Sequence, residues 1–324
     1  MIVVLSMRAD GNGAAPARHS STCTGASPSA SQYQASVASM SDTANTMWSR
    51  PVTRTMVEML GSHAVIVGAD FDHVAVAVER WSDAWPRYIG QLGGTWIGGG
   101  PDPGFASAQL RYGNGMRLEV LEPHEPEKND FLRRFLDRNG PGPHHFTFKV
   151  PDLAGALHEV RAAGLDPIGV NLDHPSWKEA FIHPKQAPGV VIQLAQTGPG
   201  SDTWGSPAPT DLPRPTPLAP ASFDRVTLAV PDLDAGLCFF EDLLGGARLD
   251  AGEDDDARWV DLGWPGPGRV RLATPASSGS PLNAWLDSRR GRVHHIAFSL
   301  AGVDRRLEIA PQDNHGTRVL VAPG

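Results

Sequence analysis

The sequence predicts an α+β fold built from β-α-β-β-β modules in tandem. Three observations predict it. Four segments share one grammar, beginning at Phe71, His144, Phe223 and His294: a short alternating strand, a turn, a helical run and often a glycine. Within each opening strand, bulky apolar residues alternate with small or polar ones, the period of a strand with one buried face. Further strand-like runs follow the helices, as at 108–112, 116–121 and 190–194.

Taken in order, residues 1–62 are rich in Ser, Ala, Thr and Gly without a sustained hydrophobic period, and are expected to be disordered. A first domain is expected over 63–197. In its first strand Val74, Val76 and Val78 share one face, and His73, Ala75 and Ala77 the other. The glycine-rich run 90–100 follows a helix rather than opening one, so it is not a dinucleotide loop. In the second unit, Phe146, Phe148 and Val150 oppose His145, Thr147 and Lys149, with His144 expected to point away from His145. A Val-Pro-Asp-Leu run then places Asp152 at a helix N-cap and Gly164 at its C-terminal stop. Seven prolines between 197 and 221 mark an extended linker, assigned to 198–221. The remainder, 222–324, repeats the pattern: Val226, Leu228 and Val230 against Arg225, Thr227 and Ala229, with Asp232 and Gly245 as the helix signals. In the last unit Ile296, Phe298 and Leu300 oppose His295, Ala297 and Ser299. A helical run is expected next, and the unit is expected to stop near its second strand at 317–321, leaving a truncated domain with an open sheet edge.

Composition excludes several classes. The chain has 324 residues and a net charge of −8, which disfavours a general nucleic-acid binder. Two cysteines, Cys23 and Cys238, cannot form a disulfide framework, and Cys238 reads as a small core residue. No apolar run approaches the roughly 20 residues of a membrane span. A cytoplasmic protein without nucleic-acid or membrane partners is expected.

Two polar residues interrupt apolar strands: Glu119 in Leu-Glu-Val-Leu and Gln193 in Ile-Gln-Leu. A buried carboxylate needs cations or strong donors, so Glu119 asks for partners. His73 precedes Glu119 by 46 positions and His145 precedes Gln193 by 48. Each unit thus offers a histidine on its first strand and a Glu or Gln on its last. If two units pair about a pseudo-twofold, His73, Glu119, His145 and Gln193 meet on one concave surface. Two imidazoles and two oxygens suit one divalent ion: Co, Mn, Ni, Fe or Zn. His144 is assigned a structural or supporting role. His63, His124, His158, His174, His183 and His315 are read as ordinary loop or helix residues.

The grammar resembles the vicinal oxygen chelate superfamily, which comprises glyoxalases, bleomycin-resistance proteins and dioxygenases. The resemblance covers about 70–197 well and 222–324 partly. It rests on DHVAVAV at 72–78, LEVLEP at 118–123, HHFTFKVPDL at 144–153 and FIHPKQAPGVVIQL at 181–194, and the first region is most similar to methylmalonyl-CoA epimerases. The resemblance implies curved mixed sheets around a concave metal site, with His73, Glu119, His145 and Gln193 at the family's ligand positions. Those enzymes usually carry a carboxylate at the last position, where Gln193 stands here. The single acidic oxygen moves to Glu119, which becomes the expected catalytic base. In the second region Arg225 and Arg271 replace His73 and Glu119 at the same 46-residue interval, and His295 remains. The fourth position is expected to fall beyond Gly324. Arginines cannot ligate a cation, so a degenerate, metal-free domain is expected, with Arg225, Arg271 and His295 as residues for a substrate or anion.

The leading expectation is a metal-dependent isomerase or lyase that stabilises an enolate, with a small-molecule substrate such as an acyl-CoA thioester. Two alternatives stand beside it: a non-haem Fe(II) dioxygenase, and a resistance-type protein that binds a small molecule. A homodimer is left open.

Overall fold

The computed structural model describes residues 65–198 and 207–324. The expected disordered lead lies outside these residues, as do His63, Cys23 and the start of the linker. The described chain folds into two curved mixed sheets, each built from two modules in tandem.

The first sheet has eight strands in the order β2-β3-β4-β1-β5-β8-β7-β6. Strand β1 (Asp70–Ala77) leads into helix α1, regular over Trp81–Trp85 and wider over Pro86–Gln91. Strands β2 (Thr95–Asp102), β3 (Phe105–Arg111) and β4 (Arg117–Glu122) return, and β4 lies parallel to β1. The glycine-rich run is therefore strand β2. After helix α2 (Phe131–Asn139), the second module repeats the plan: β5 (Gly142–Lys149), α3 (Leu153–Ala162), β6 (Ile168–Asn171), β7 (Trp177–Ile182) and β8 (Val191–Thr197). Strand β8 is parallel to β5, and the two first strands β1 and β5 pair antiparallel at the centre. That central pairing is the pseudo-twofold. As expected, Asp152 caps α3 by accepting from the Ala154 N–H at 3.1 Å.

The second sheet follows the same plan with seven strands, ordered β10-β11-β12-β9-β13-β15-β14. It comprises β9 (Ser222–Ala229), helix α4 (Leu233–Leu237, continuing as Cys238–Leu243), β10 (Ala247–Glu253), β11 (Ala257–Gly263) and β12 (Arg269–Pro275). Helix α5 (Pro281–Leu286), β13 (Arg292–Leu300), β14 (Leu307–Ile309) and β15 (Val319–Pro323) complete it. Asp232 caps α4 by accepting from the Ala235 N–H, and Cys238 is buried.

The last module departs from expectation in two ways. No helix follows β13; residues 301–306 form turns instead. The segment expected as a second strand, β15, pairs parallel with β13, with Ala297 opposite Leu320. It therefore holds the last-strand place that β8 holds beside β5, where Thr147 faces Gln193. The module is shortened inside rather than cut off, and Leu320 occupies the fourth position that was expected beyond Gly324.

The apolar strand faces are shared. Val74, Val76, Phe146 and Phe148 lie in one core cluster with Val226, Leu228, Phe223 and Phe298. Tyr112 meets Phe298 at 4.9 Å between ring centroids, and Trp264 meets Phe148 at 5.1 Å. Asn114 donates to the Phe223 carbonyl at 2.8 Å, and the Gly266 N–H donates to Asp70 at 2.9 Å. The described part of the Pro-rich segment is laid over the end of α1, where Thr216 and Ala221 donate to the Gly90 and Leu92 carbonyls. The other strand faces carry small satellite clusters. Ala75, Ala77 and Leu121 pack under Leu132 and Leu136 of α2; Ala229 and Ala273 pack under Leu282 and Leu286 of α5.

The two halves also touch reciprocally. Gly189, four residues before Gln193, lies against Gly291, four before His295. Gly316, four before Leu320, lies against Pro141, four before His145. Both glycines have left-handed backbone, φ +76° and +75°, and a side chain at either would run into the opposing carbonyl. Gly302, with φ +85°, has no such neighbour. Gly189→Ala and Gly316→Ala are each expected to cost more stability than Gly302→Ala. The left-handed strain alone is about 1–3 kcal/mol, and the backbone collision adds to it. Urea unfolding of the three variants measures the difference.

Candidate metal centre

The first half's concave face collects the polar residues of its four inner strands. The strand period turns His73 away from Val74 on β1, Glu119 away from Leu118 and Val120 on β4, and His145 away from Phe146 on β5. Ala75 sits between them, opposite both Glu119 and His145. Its methyl group leaves room for the larger side chains on either flank.

His73, Glu119 and His145 each bring one ligand atom to a single point, all within 4.8 Å of one another. Oε2 of Glu119 lies 3.6 Å from His73 Nε2 and 3.5 Å from His145 Nε2. Two ligand atoms bound at ~2.1 Å are ~3.0–3.4 Å apart across octahedral or tetrahedral angles. The observed spacings are a few tenths of an ångström wider. The exposures are 1%, 2% and 6%. His145 Nε2 is buried yet makes no hydrogen bond, a polar atom left without a partner. The donor set, the spacing and this orphaned nitrogen together fit a divalent cation.

Neighbouring groups hold these side chains in place. His73 Nδ1 donates to Asp72 at 2.8 Å, and Asp72 also pairs with Arg117 and Lys149. Gln109 on β3 donates to Glu119 Oε1 at 2.9 Å, leaving Oε2 for the cluster. Thr147 donates its hydroxyl to Gln193 Oε1 at 2.6 Å, so its oxygen is free to accept from His73 Nε2 at 2.9 Å. Gln193, 3% exposed, donates its amide to Glu179 at 2.9 Å. This fixes which end of the amide faces the site: the oxygen.

His144 does not point away from His145. A bulge between Ala75 and Val76 in the β1–β5 register lets its ring turn to α2, 4.6 Å from Phe135. Its Nδ1 meets His145 Nδ1 at 2.8 Å. With the shared proton on His145, the lone pair of Nε2 is left for the site.

Electrostatics follow from burial and these contacts. Burial opposes charge on His73, but the hydrogen bonds and charges of Asp72 and Glu119 outweigh it and raise the imidazole to about 9. Burial pushes Glu119 up, yet His73, His145 and Gln109 bring it below the usual carboxylate range. Burial, then the neighbouring His144, lowers His145 to about 3. Without a metal the site thus holds an imidazolium between two carboxylates, beside a neutral imidazole.

The second half has the same frame and different chemistry. Thr227 faces both Arg271 and His295, as Ala75 faces Glu119 and His145. Arg225 faces Ala297, as His73 faces Thr147. The four positions therefore read Arg225, Arg271, His295 and Leu320. Arg271 forms a two-bond pair with Asp261, 2.6 Å at each contact, and Asp261 faces it across the sheet as Gln109 faces Glu119.

Sequence reasoning missed Asp72, Gln109, Thr147, Glu179 and helix α2. The parity rule that found Glu119 also finds Glu179, between Lys178 and the buried Ala180 on β7. Helix α2 was marked by Phe131, Leu132, Phe135 and Leu136 at helical spacing.

Residues 72–181 match the family model described as the glyoxalase/bleomycin resistance protein/dioxygenase superfamily. The first half of the chain has the vicinal oxygen chelate fold. Methylmalonyl-CoA epimerase from Mycobacterium tuberculosis is 25% identical over 44% of this chain and 96% of its own, with a TM-score of 0.38. Two solved structures share the tandem fold over 79% of the chain. One is a 4-hydroxymandelate synthase variant from Streptomyces coelicolor, 15% identical, covered over 93% of its length, TM-score 0.54. The other is a hypothetical protein from Staphylococcus aureus, 10% identical, covered over 99%, TM-score 0.53. No curated protein matches the chain. Among the described residues no helix is long and apolar enough to cross a membrane.

Because His73 must lose a proton to become a ligand, metal uptake by this domain is expected to release about one proton below pH 9. Affinity should rise with pH and level off near 9. Calorimetry of Zn²⁺ or Co²⁺ binding in buffers of different ionisation enthalpy measures the proton. The sign for folding is opposite. The value in the metal-free fold lies above the ordinary 6.5, so that fold gains most from His73 below pH 6.5 and loses that gain as pH rises through about 9.

Proposed function

We propose that the first domain binds one divalent first-row metal through His73, Glu119 and His145, with the Gln193 oxygen as a fourth ligand. We further propose that the protein is a metal-dependent isomerase or lyase acting on a small molecule with two neighbouring oxygens, an acyl-CoA thioester being the substrate class most in keeping with the resemblance. The observation that carries this is the convergence of three buried ligand atoms, one of them the partnerless His145 Nε2.

When bound, the ion would supply Lewis-acid stabilisation of negative charge developing on the substrate oxygens. The chain's own residues would do the rest. Glu119 is ionised at neutral pH, so its Oε2, once the substrate's oxygens displace it as a ligand, could take a proton from the carbon beside the carbonyl and return it. Gln109 holds the other oxygen of Glu119 and so fixes the direction of Oε2. Glu179 and Thr147 hold the Gln193 amide with its oxygen inward. Phe131 and Phe135 of α2, with the satellite cluster beneath them, shield one end of the concave face from water.

The test is deuterium exchange. The Co²⁺-loaded protein is expected to wash deuterium from D₂O into the α-position of a 2-methylmalonyl-type thioester, and chelation should stop it. Glu119→Gln keeps an oxygen ligand but no base, and should slow exchange by about 10²-fold or more while retaining metal. Full exchange in Glu119→Gln would remove Glu119 as the base. No exchange by metal-loaded wild type would overturn the isomerase assignment.

A second reading has its own support: two histidines and one carboxylate are the donor set of non-haem Fe(II) oxygenases. Oxygen consumption by the Fe(II)-loaded protein with a catechol or a 2-oxo acid, in place of α-proton exchange, would favour it.

A further inference from the structure

The second half's concave face inverts the charge of the first. Every cation-binding position has an equivalent set by strand register: His73 becomes Arg225, Glu119 becomes Arg271, and Gln193 becomes Leu320. A donor set that attracts a cation has been exchanged for one that attracts an anion. The fold around it is kept, including the paired histidines, whose Nδ1 atoms meet at 2.7 Å between His294 and His295.

We propose that this face is a binding site for a small oxyanion, a carboxylate or phosphoryl group, seated over Thr227 between Arg225 and Arg271. Three features argue for it. Arg271 is built in rather than loose. Its Nε and Nη2 are clamped by Asp261, and its guanidinium lies 3.6 Å over the Trp259 ring. That leaves Nη1 for a ligand in a fixed plane. Arg225 is less satisfied: its Nε is buried and has no hydrogen-bond partner. The neighbouring carboxylate, Asp224, already accepts from Ser299 at 2.8 Å. A buried guanidinium nitrogen without an acceptor is costly, and an oxyanion supplies the acceptor. Finally, His295 places a neutral ring with a polar nitrogen at the same spot. Its Nε2 lies 3.0 Å from the Thr227 hydroxyl, and burial followed by the charges around it, Arg225, Arg306 and Arg271 among them, keeps it neutral. The charges that act on Arg225 are Arg271 and Arg306 on one side and Asp261 and Asp224 on the other, and Asp261 is already engaged by Arg271.

The site stands independently of the metal centre, because it shares no residue with it. The test is titration calorimetry of the full chain, freed of metal by chelator and dialysis, in low-chloride buffer with inorganic phosphate and, separately, malonate. One saturable site per chain is expected, weakened by added salt. Tighter binding of malonate would identify a carboxylate ligand, and tighter binding of phosphate a phosphoryl one. Arg225→Gln should weaken binding at least tenfold, with Co²⁺ uptake by the first half, measured separately, unchanged. Arg306 is exposed, so Arg306→Ala tests the same field without touching the core and should weaken binding about threefold. Glu119→Gln should leave anion affinity as in wild type. Unchanged affinity in both arginine variants, loss of anion binding in Glu119→Gln, or no saturable binding of either anion would overturn the proposal.

Discussion

A carboxylate buried to 2% exposure is the constraint around which the first domain is organised. Glu119 sits on a central strand and is nearly removed from water. Its charge has to be met from within the protein. The imidazolium of His73 meets one oxygen and the Gln109 amide donates to the other. Each of those groups is itself fixed: His73 by Asp72, His145 by His144, and the far side of the cluster by Thr147, Gln193 and Glu179. The same arrangement that neutralises Glu119 in the metal-free chain presents three ligand atoms at one point. Compensation of a buried charge and construction of a cation site are thus one design.

The second domain shows what happens when that constraint is changed but the frame is retained. With Arg271 at the equivalent place, the partner on the next strand changes from Gln109 to Asp261, a neutral donor to a charged acceptor. The position of His73 becomes Arg225. The strands and the helix over the concave face persist because they serve packing, and His294 of the second double histidine packs against Trp285 of that helix. Packing also explains why the halves stay together. Their apolar faces form one core, and the glycine contacts at 189 and 316 are equivalent across the pair.

Much of this was legible in the chain because strand parity is a strict rule. Val74, Val76, Phe146 and Phe148 had to share a face, and that placed His73 and His145 together on the other. The 46-residue intervals identified Glu119 and Arg271 as equivalents. What failed to show were features that break local periodicity. His144 is displaced by a bulge, which no alternation pattern reveals. The last module lost its helix and kept its final strand, so counting 48 residues from His295 overshot; spatial equivalence fell on Leu320, only 25 positions on. Asp72, at a second bulge, was hidden for the same reason. Glu179 was within reach of the parity rule but had no partner in sequence to give it meaning, since its contact with Gln193 crosses a strand pair.

The central claim is that His73, Glu119 and His145 act as one cation site. X-ray absorption spectroscopy of the Co²⁺- or Zn²⁺-loaded protein tests it most directly. One ion per chain, with two imidazole nitrogens in its shell and the remaining ligands oxygen, is the predicted result. An ion with one imidazole or none, or a chain that retains no stoichiometric metal, would contradict it.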